Sequence, residues 1–207
     1  PVGRMPLKIV KTNCLQEPQK AEVRALEREA FRGEGLKNTA FLDNELNVDR
    51  DAPCFYLGYE GERLTAFLTV FFPDRKDGEV NAFTHPEFRR QGRFSALLRE
   101  AEADLRAVGV AQPVLALEPQ SGSGCAALGH FPGARLLRSE YRMSRRGGDV
   151  PPLREGLSVA ELSPETREQY LAVSQRAYGD EDGSFVDSVM QSETRRGFLL
   201  REDGAPA

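Results

Sequence analysis

Between Glu79 and Val108 the chain passes from a strand to a helix through a short loop crowded with arginine and glycine. Glu79-Val80-Asn81-Ala82-Phe83-Thr84 reads as the strand. Phe94, Leu97, Leu98, Ala101, Leu105 and Val108 recur at helical period, which predicts a helix from Arg93 to about Val108 that buries one face. Gly109 ends it. The connection is Arg89-Arg90-Gln91-Gly92-Arg93-Phe94-Ser95. A helix N-terminus has unpaired amides and the positive end of the helix dipole, so a strand–loop–helix of this kind suits a diphosphate ester. Gly92 allows the backbone to approach closely, the three arginines add charge, and Ser95 supplies a hydroxyl in the first turn.

The segments on either side fix the fold class. Leu7–Lys11 is a short strand, and Ala21, Val23, Leu26, Ala30 and Phe31 follow at helical spacing up to the glycines at 33 and 35. A second helix is expected over Thr39–Leu46. Cys54–Tyr59 and Leu64–Phe72 flank the turn Glu60-Gly61-Glu62 and predict an antiparallel hairpin. The turn Pro73–Gly78 leads into the strand at 79. Pro113–Leu117 is a short apolar run of the kind found in buried parallel strands. Ser121-Gly122-Ser123-Gly124 opens a short helix around Ala126–Leu128, and Arg135–Leu137 with Ser139–Met143 is expected to close the sheet as a hairpin. The sum is an α/β fold, one central mixed sheet with helices on both faces.

After Arg145-Arg146-Gly147-Gly148-Asp149-Val150-Pro151-Pro152, a linker by composition, the beginning of the chain is echoed. Leu157-Ser158-Val159 parallels Leu7-Lys8-Ile9, the helical run 168–178 parallels the run ending at Phe31, and 198–204 parallels 55–61. The offsets drift slowly instead of scattering, as a duplicated fold would give. The expected division is a first domain at 5–146, a linker at 147–156 and a partial second copy at 157–207. That copy reaches Gly204-Ala205-Pro206-Ala207 where its hairpin should turn, and so lacks a loop and long helix of its own.

Composition narrows the function classes. A net charge of −4 argues against a general nucleic-acid binder. No apolar run approaches the roughly 18 residues that span a bilayer. The opening Pro1-Val2-Gly3-Arg4 lacks the apolar stretch of a signal peptide, and Met5 is the expected natural start. Cys14, Cys54 and Cys125 form no CxxC pair and only two histidines accompany them, so no metal site and a reducing cytoplasm are expected. His85 and Glu87 have no third ligand beside them. The P-loop signature G-x-x-x-x-G-K-S/T is absent.

With its flanks, the loop resembles motif A of the GNAT acetyltransferase superfamily, Q/R-x-x-G-x-G/A, written here Arg89-Arg90-Gln91-Gly92-Arg93-Phe94. Phe94 replaces the last small residue, as in a branch reading G-x-F-S/T-x-L-L, which Gly92–Leu98 fits. The likeness covers 5–146 in element order and is specific across 79–98. It implies acetyl-CoA as acyl donor, with the pantetheine arm between splayed strands at 79–84 and 113–117 and the pyrophosphate on the loop amides. By matching position it implies cofactor contacts at Phe83, Thr84, His85, Arg89, Arg90, Gln91, Gly92, Arg93, Phe94 and Ser95, with Ser123 and Cys125 near the pantetheine or thiol. The reaction it implies is direct attack of a primary amine, on a small molecule or peptide, within a ternary complex. A homodimer is compatible with it; nucleic acid and membrane partners are not expected.

The proton-transfer residues are less legible. Glu79 and Glu118, at the start of one strand and the end of the other, are the candidate bases, although strand-end carboxylates more often simply face solvent. No tyrosine occurs between Leu117 and Gly133, where many family members place one. Tyr141 is the phenol to test, and His130 lies near the expected place. Cys125 reads better as a cofactor-lining thiol than as a nucleophile. Asp43 and Glu45, in the 34–47 segment that borders the acceptor pocket in such folds, are placed to attract a cationic amine. The competing function is a non-catalytic acyl-CoA-binding or regulatory module.

Overall fold

The computed structural model describes residues 5–141, 147–149, 152–179 and 183–206. The chain divides into two compact units, Pro1–Arg135 and Leu136–Ala207.

The first unit is a five-stranded sheet in the order β1 (Leu7–Thr12), β2 (Phe55–Glu60), β3 (Arg63–Phe71), β4 (Gly78–Thr84) and β5 (Pro113–Leu115). Neighbours are antiparallel except β4 and β5, which run parallel. Two helices of 15 residues cover it, α1 (Glu17–Phe31) and α2 (Arg93–Ala107). Helix α1 begins with a reciprocal capping box between Gln16 and Gln19, with Pro18 in its first turn where no N–H is needed. They lie on opposite faces. Tyr59 and Phe83 reach Glu22 and Phe31 of α1, whereas Lys11 and Tyr56 reach Asp104 of α2. The core therefore has two layers. Phe55, Phe67 and Phe83 stack in series toward α1, and Leu97, Leu98, Ala101 and Leu105 bury the apolar stripe of α2. Gly78 has no side chain because α2 crosses there; a Cβ would meet Leu105 Cδ2 at 2.9 Å and Val70 Cγ1 at 3.1 Å.

Two expected elements are replaced by irregular chain. Residues 39–46 form a loop, not a helix. Asp43, Asn44, Asn47 and Asp49 bond nearby backbone instead of continuing a helix, for example Asn44 Nδ2 to Arg50 C=O at 2.9 Å and the Ala52 amide to Asp49 Oδ1 at 3.2 Å. Asn47 is buried and accepts from the Phe72 amide at 2.9 Å, which ties this loop to the end of β3. The closing hairpin is also absent from its described part, 135–141, where Leu136 and Tyr141 are 83% and 86% exposed; Arg142 and Met143 lie outside the described residues. Strand β5 pairs over only three residues, none of them buried, and offers such a hairpin little to pack on. The short helix α3 (Gly122–Leu128) starts earlier than expected because the Ser121 hydroxyl accepts from the Gly124 amide at 3.0 Å.

The second unit holds a three-stranded antiparallel sheet, β6 (Leu157–Glu161), β7 (Phe198–Glu202) and β8 (Ala205–Pro206). Helices α4 (Arg167–Tyr178) and α5 (Ser184–Gln191) stand between β6 and β7 in sequence. Arg167 of α4 is held by Asp187 of α5 at 2.8 Å. Val186, Val189 and Leu199 supply its buried apolar side chains. Among the described residues no helix is long and apolar enough to cross a membrane.

Candidate functional site

Strands β4 and β5 pair from Gly78 and Pro113 to Val80 and Leu115. The last bond runs from the Ala116 amide to Val80 C=O at 2.9 Å, and beyond it the strands part. Strand β4 continues to Thr84 with β3 alone beside it. The His85 amide donates to Thr65 C=O at 2.9 Å, so by the two-residue period of the ladder the amides of Ala82 and Thr84 point away from β3. They face the opening, on the same edge as the Val80 carbonyl.

The arginine-rich loop closes that opening at one end. A single turn of 3₁₀ helix, Pro86–Phe88, is followed by Arg90 with φ 56° and Gly92 with φ 81°. Gly92 is the N-cap of α2, a left-handed position that glycine adopts at no steric cost. The first helical bond is the Ala96 amide to Gly92 C=O at 2.9 Å. The amides of Gly92, Arg93, Phe94 and Ser95 have no acceptor among the described residues. Four convergent donors at the positive end of a helix form an anion cradle.

The three loop arginines divide into different jobs. Arg90 is exposed and its side chain makes no bond among the described residues, so it is the cation available to a ligand. Arg89 is spent inside the protein: Nε donates to Thr84 C=O at 3.2 Å, Nη2 to Ala30 C=O at 2.9 Å and Nη1 to Glu34 at 2.7 Å. Arg93 is buried, ion-paired with Glu60, donates to Gln91 C=O at 2.9 Å and lies over the Phe88 ring. Arg89 and Arg93 thus set the loop's shape instead of meeting a ligand through their guanidinium groups.

Glu34 is the residue that sequence reasoning passed over. From the turn just after α1 its carboxylate accepts from Arg89, from the Ser121 hydroxyl at 3.0 Å, and from the Ser123 amide and hydroxyl at 3.2 and 3.1 Å. It joins that turn to the loop after β4 and to the start of α3 after β5, on the two sides of the opening. Burial alone would raise its pKa; the Ser123, Ser121 and Arg89 hydrogen bonds outweigh that and hold it below the ordinary carboxylate value. The only signal in sequence is an acid isolated between Gly33 and Gly35.

The remaining named residues are distributed as follows. Phe83 is buried between Phe67 and Phe31, each centroid 5.6 Å away, so only its backbone borders the opening. Thr84 borders it through its amide. His85 has ring nitrogens 2.8 Å from Arg63 Nη2 and 3.3 Å from the Glu87 amide. Burial, then the Arg63 charge, lowers its pKa and keeps the ring neutral at pH 7. Gln91 is exposed and donates to Glu87 C=O at 2.9 Å, Phe94 meets Phe131 edge-on, and Ser95 is exposed in the first turn of α2. Ser123 is engaged by Glu34, and the Cys125 thiol is exposed on α3. Glu118 accepts from the Lys37 and Asn38 amides at 2.7 and 2.9 Å and so anchors the loop after α1. Glu79 lies opposite Val114, inside the paired part of β4. Tyr141 is in an irregular stretch of the other unit, and His130 is exposed just after α3.

The fold that carries this site is shared with known proteins. The profile of the acetyltransferase (GNAT) family matches residues 20–127. No curated protein matches the chain. Among solved structures, a GCN5-related N-acetyltransferase from Sphaerobacter thermophilus is similar at 13% identity and TM-score 0.60, covering 98% of this chain and 70% of its own. An acetyltransferase from Streptococcus agalactiae is similar at 16% identity and TM-score 0.53, over 69% of this chain and 92% of its own. The paia N-acetyltransferase of Thermoplasma acidophilum, in complex with coenzyme A, is similar at 17% identity and TM-score 0.50, over 61% and 88%. At these identities the structures show a shared fold, and the family profile covers the strands, loop and helix that build the site. The chain belongs to the acetyltransferase (GNAT) family.

Proposed function

We propose that the first unit binds acetyl-CoA and transfers its acetyl group to a primary amine of a small molecule or peptide by direct attack in a ternary complex. The observation that carries this reading is the opening beyond Val80 and Ala116, flanked by the β4 amides that point away from β3 and ending at those of Gly92–Ser95. The pyrophosphate would lie on the loop amides with Arg90 beside it, and the pantetheine amides would pair with the edge of β4 at Ala82 and Thr84. An amine held against the thioester carbonyl gains mainly from alignment. As the C–N bond forms and the C–S bond breaks, a β4 amide in the opening can donate to the developing oxyanion. The amine loses its proton to solvent and the departing thiolate takes one up. Glu118 is committed to two amides and Glu79 lies in the paired region, so neither is given the proton-transfer role. Asp43 and Glu45 remain the acids proposed to draw in a cationic acceptor, and the cytoplasm the proposed location.

The second reading, an acyl-CoA-binding module without turnover, draws support from Glu34 and Glu118 both serving as hydrogen-bond acceptors. Isothermal titration with acetyl-CoA, paired with thiol release over a panel of amines, separates the two. Saturable binding with thiol release supports transfer, binding without release supports the module, and no binding overturns both.

A further inference from the structure

Past Ala116, the chain that forms the β5 side of the opening bonds backbone to backbone only within itself. From Leu117 to Ala134 these bonds are local, such as the Ser121 amide to Glu118 C=O and the Cys125 amide to Ser121 C=O, both at 2.9 Å. The stretch is tied to other elements through two carboxylates, with Phe131 adding an apolar contact edge-on to Phe94. Glu118, just past β5, accepts from the Lys37 and Asn38 amides and is braced by Gln120 Nε2 at 2.7 Å. Glu34 holds Ser121 and Ser123 on the β5 side and Arg89 on the β4 side. The segment that carries these bonds is pinned in turn to α1. There buried Glu27 accepts from the Ala40 amide at 2.8 Å, and Arg24 donates to Ala40 C=O at 3.0 Å. Residues 34–40 are thus a strap anchored on α1, and its bonds to Glu118, Ser121, Ser123 and Arg89 hold the two sides of the opening at one separation.

We infer that Glu34 and Glu118 are positioning residues that set the width of the opening between β4 and the β5–α3 segment, and through it the affinity for acyl-CoA. The role rests on the function proposed above: a pantetheine arm has to meet both sides at once, and a shift of about 1 Å in one of them misplaces the thioester. Glu118, which the sequence offers as a base, acts through the strap and not on the reacting amine, because its Oε1 is committed to two amide donors. The two carboxylates differ in what an amide can replace. Glu118→Gln keeps a carbonyl oxygen for Lys37 and Asn38, so it preserves the tie and removes only the basicity. Glu34→Gln sets an NH2 group against either Arg89 or the two serines, all of them donors to Glu34, and so frees one side.

The test compares the full wild-type chain with Glu34→Gln, Glu118→Gln and Glu118→Ala, by ligand-free amide hydrogen exchange and by calorimetric titration with acetyl-CoA. Glu34→Gln and Glu118→Ala are expected to speed exchange across 117–128 with the 55–71 hairpin unchanged, and to weaken binding about tenfold. Glu118→Gln should match wild type in both. In thiol release, Glu118→Ala is expected to raise KM for acetyl-CoA, and Glu118→Gln to keep kcat and its pH profile. Should Glu118→Ala unfold as a whole, the contrast between Glu34→Gln and Glu118→Gln decides by the same readings. Normal acetyl-CoA binding by Glu118→Gln with kcat lost would make Glu118 the base and overturn its positioning role. Unaltered exchange in Glu34→Gln and Glu118→Ala, or faster exchange at unaltered affinity, overturns the proposal while leaving the proposed function standing. A wild-type chain that binds no acetyl-CoA overturns both, and that outcome is read from the wild-type titration alone.

Discussion

Arginine is the residue type with which this chain both builds and presents its loop, and the two uses respond differently to mutation. Arg90→Ala removes the loop cation that makes no bond among the described residues, and is expected to weaken acetyl-CoA binding by about tenfold, roughly 1.4 kcal/mol, with unfolding unchanged. Gly92→Asp should weaken binding further, because it puts a side chain at φ 81° and a negative charge among the donors. Arg89→Ala acts through structure: it strips Glu34 of its charged partner and is expected to lower folding stability by about 1–3 kcal/mol. Glu34 itself gives a pH signature. Its folded pKa is depressed, so its stabilisation is full above the unfolded carboxylate value and is lost as pH falls through the folded value. The melting-temperature gap between wild type and Glu34→Gln should therefore be widest near neutrality and shrink below about pH 4; a gap that widens in acid would refute the clamp. Thiol chemistry separates the cysteines: burial pushes Cys54 up to about 12, while Cys125 is exposed. Iodoacetamide should label Cys125 and spare Cys54 in the native chain, as mass spectrometry of the peptides can show.

At the scale of elements, the regular parts of the first unit are legible because their apolar patterns are long or periodic. The hairpin 55–71 is apolar almost throughout and buried on both faces, and α2 buries a single stripe at helical period. The misread segments have weak periods and strong local alternatives. Thr39–Leu46 contains Asp43 and Asn44, whose side chains compete for the backbone, and Asn47 just beyond fixes the loop to β3. Asn47→Ala should cost about 1–3 kcal/mol in chemical denaturation, because the buried Phe72 amide loses its acceptor. At 135–141 a short apolar run suggests a strand, but among the described residues no strand pairs with it. The site was legible in part. Its loop sequence points to the helix-start amides at Gly92–Ser95, but composition cannot tell a guanidinium that faces outward from one that faces Glu34 or Glu60. Those assignments depend on contacts across 55 and 33 residues of chain.

For the whole molecule, a parted strand pair, a helix-start anion cradle and a family profile agree on the first unit, and the second unit holds a separate three-stranded sheet with two helices between its first two strands. The proposed binding of acyl-CoA is therefore assigned to the first unit, which holds the parted strands and the loop amides. The most direct measurement is titration of the ¹⁵N-labelled full chain with acetyl-CoA, followed amide by amide. The largest shifts are expected at Gly92, Arg93, Phe94 and Ser95, with Ala82 and Thr84 moving in the same titration and residues 157–206 unmoved. Shifts confined to other surfaces, or none at saturating acetyl-CoA, would contradict the binding mode.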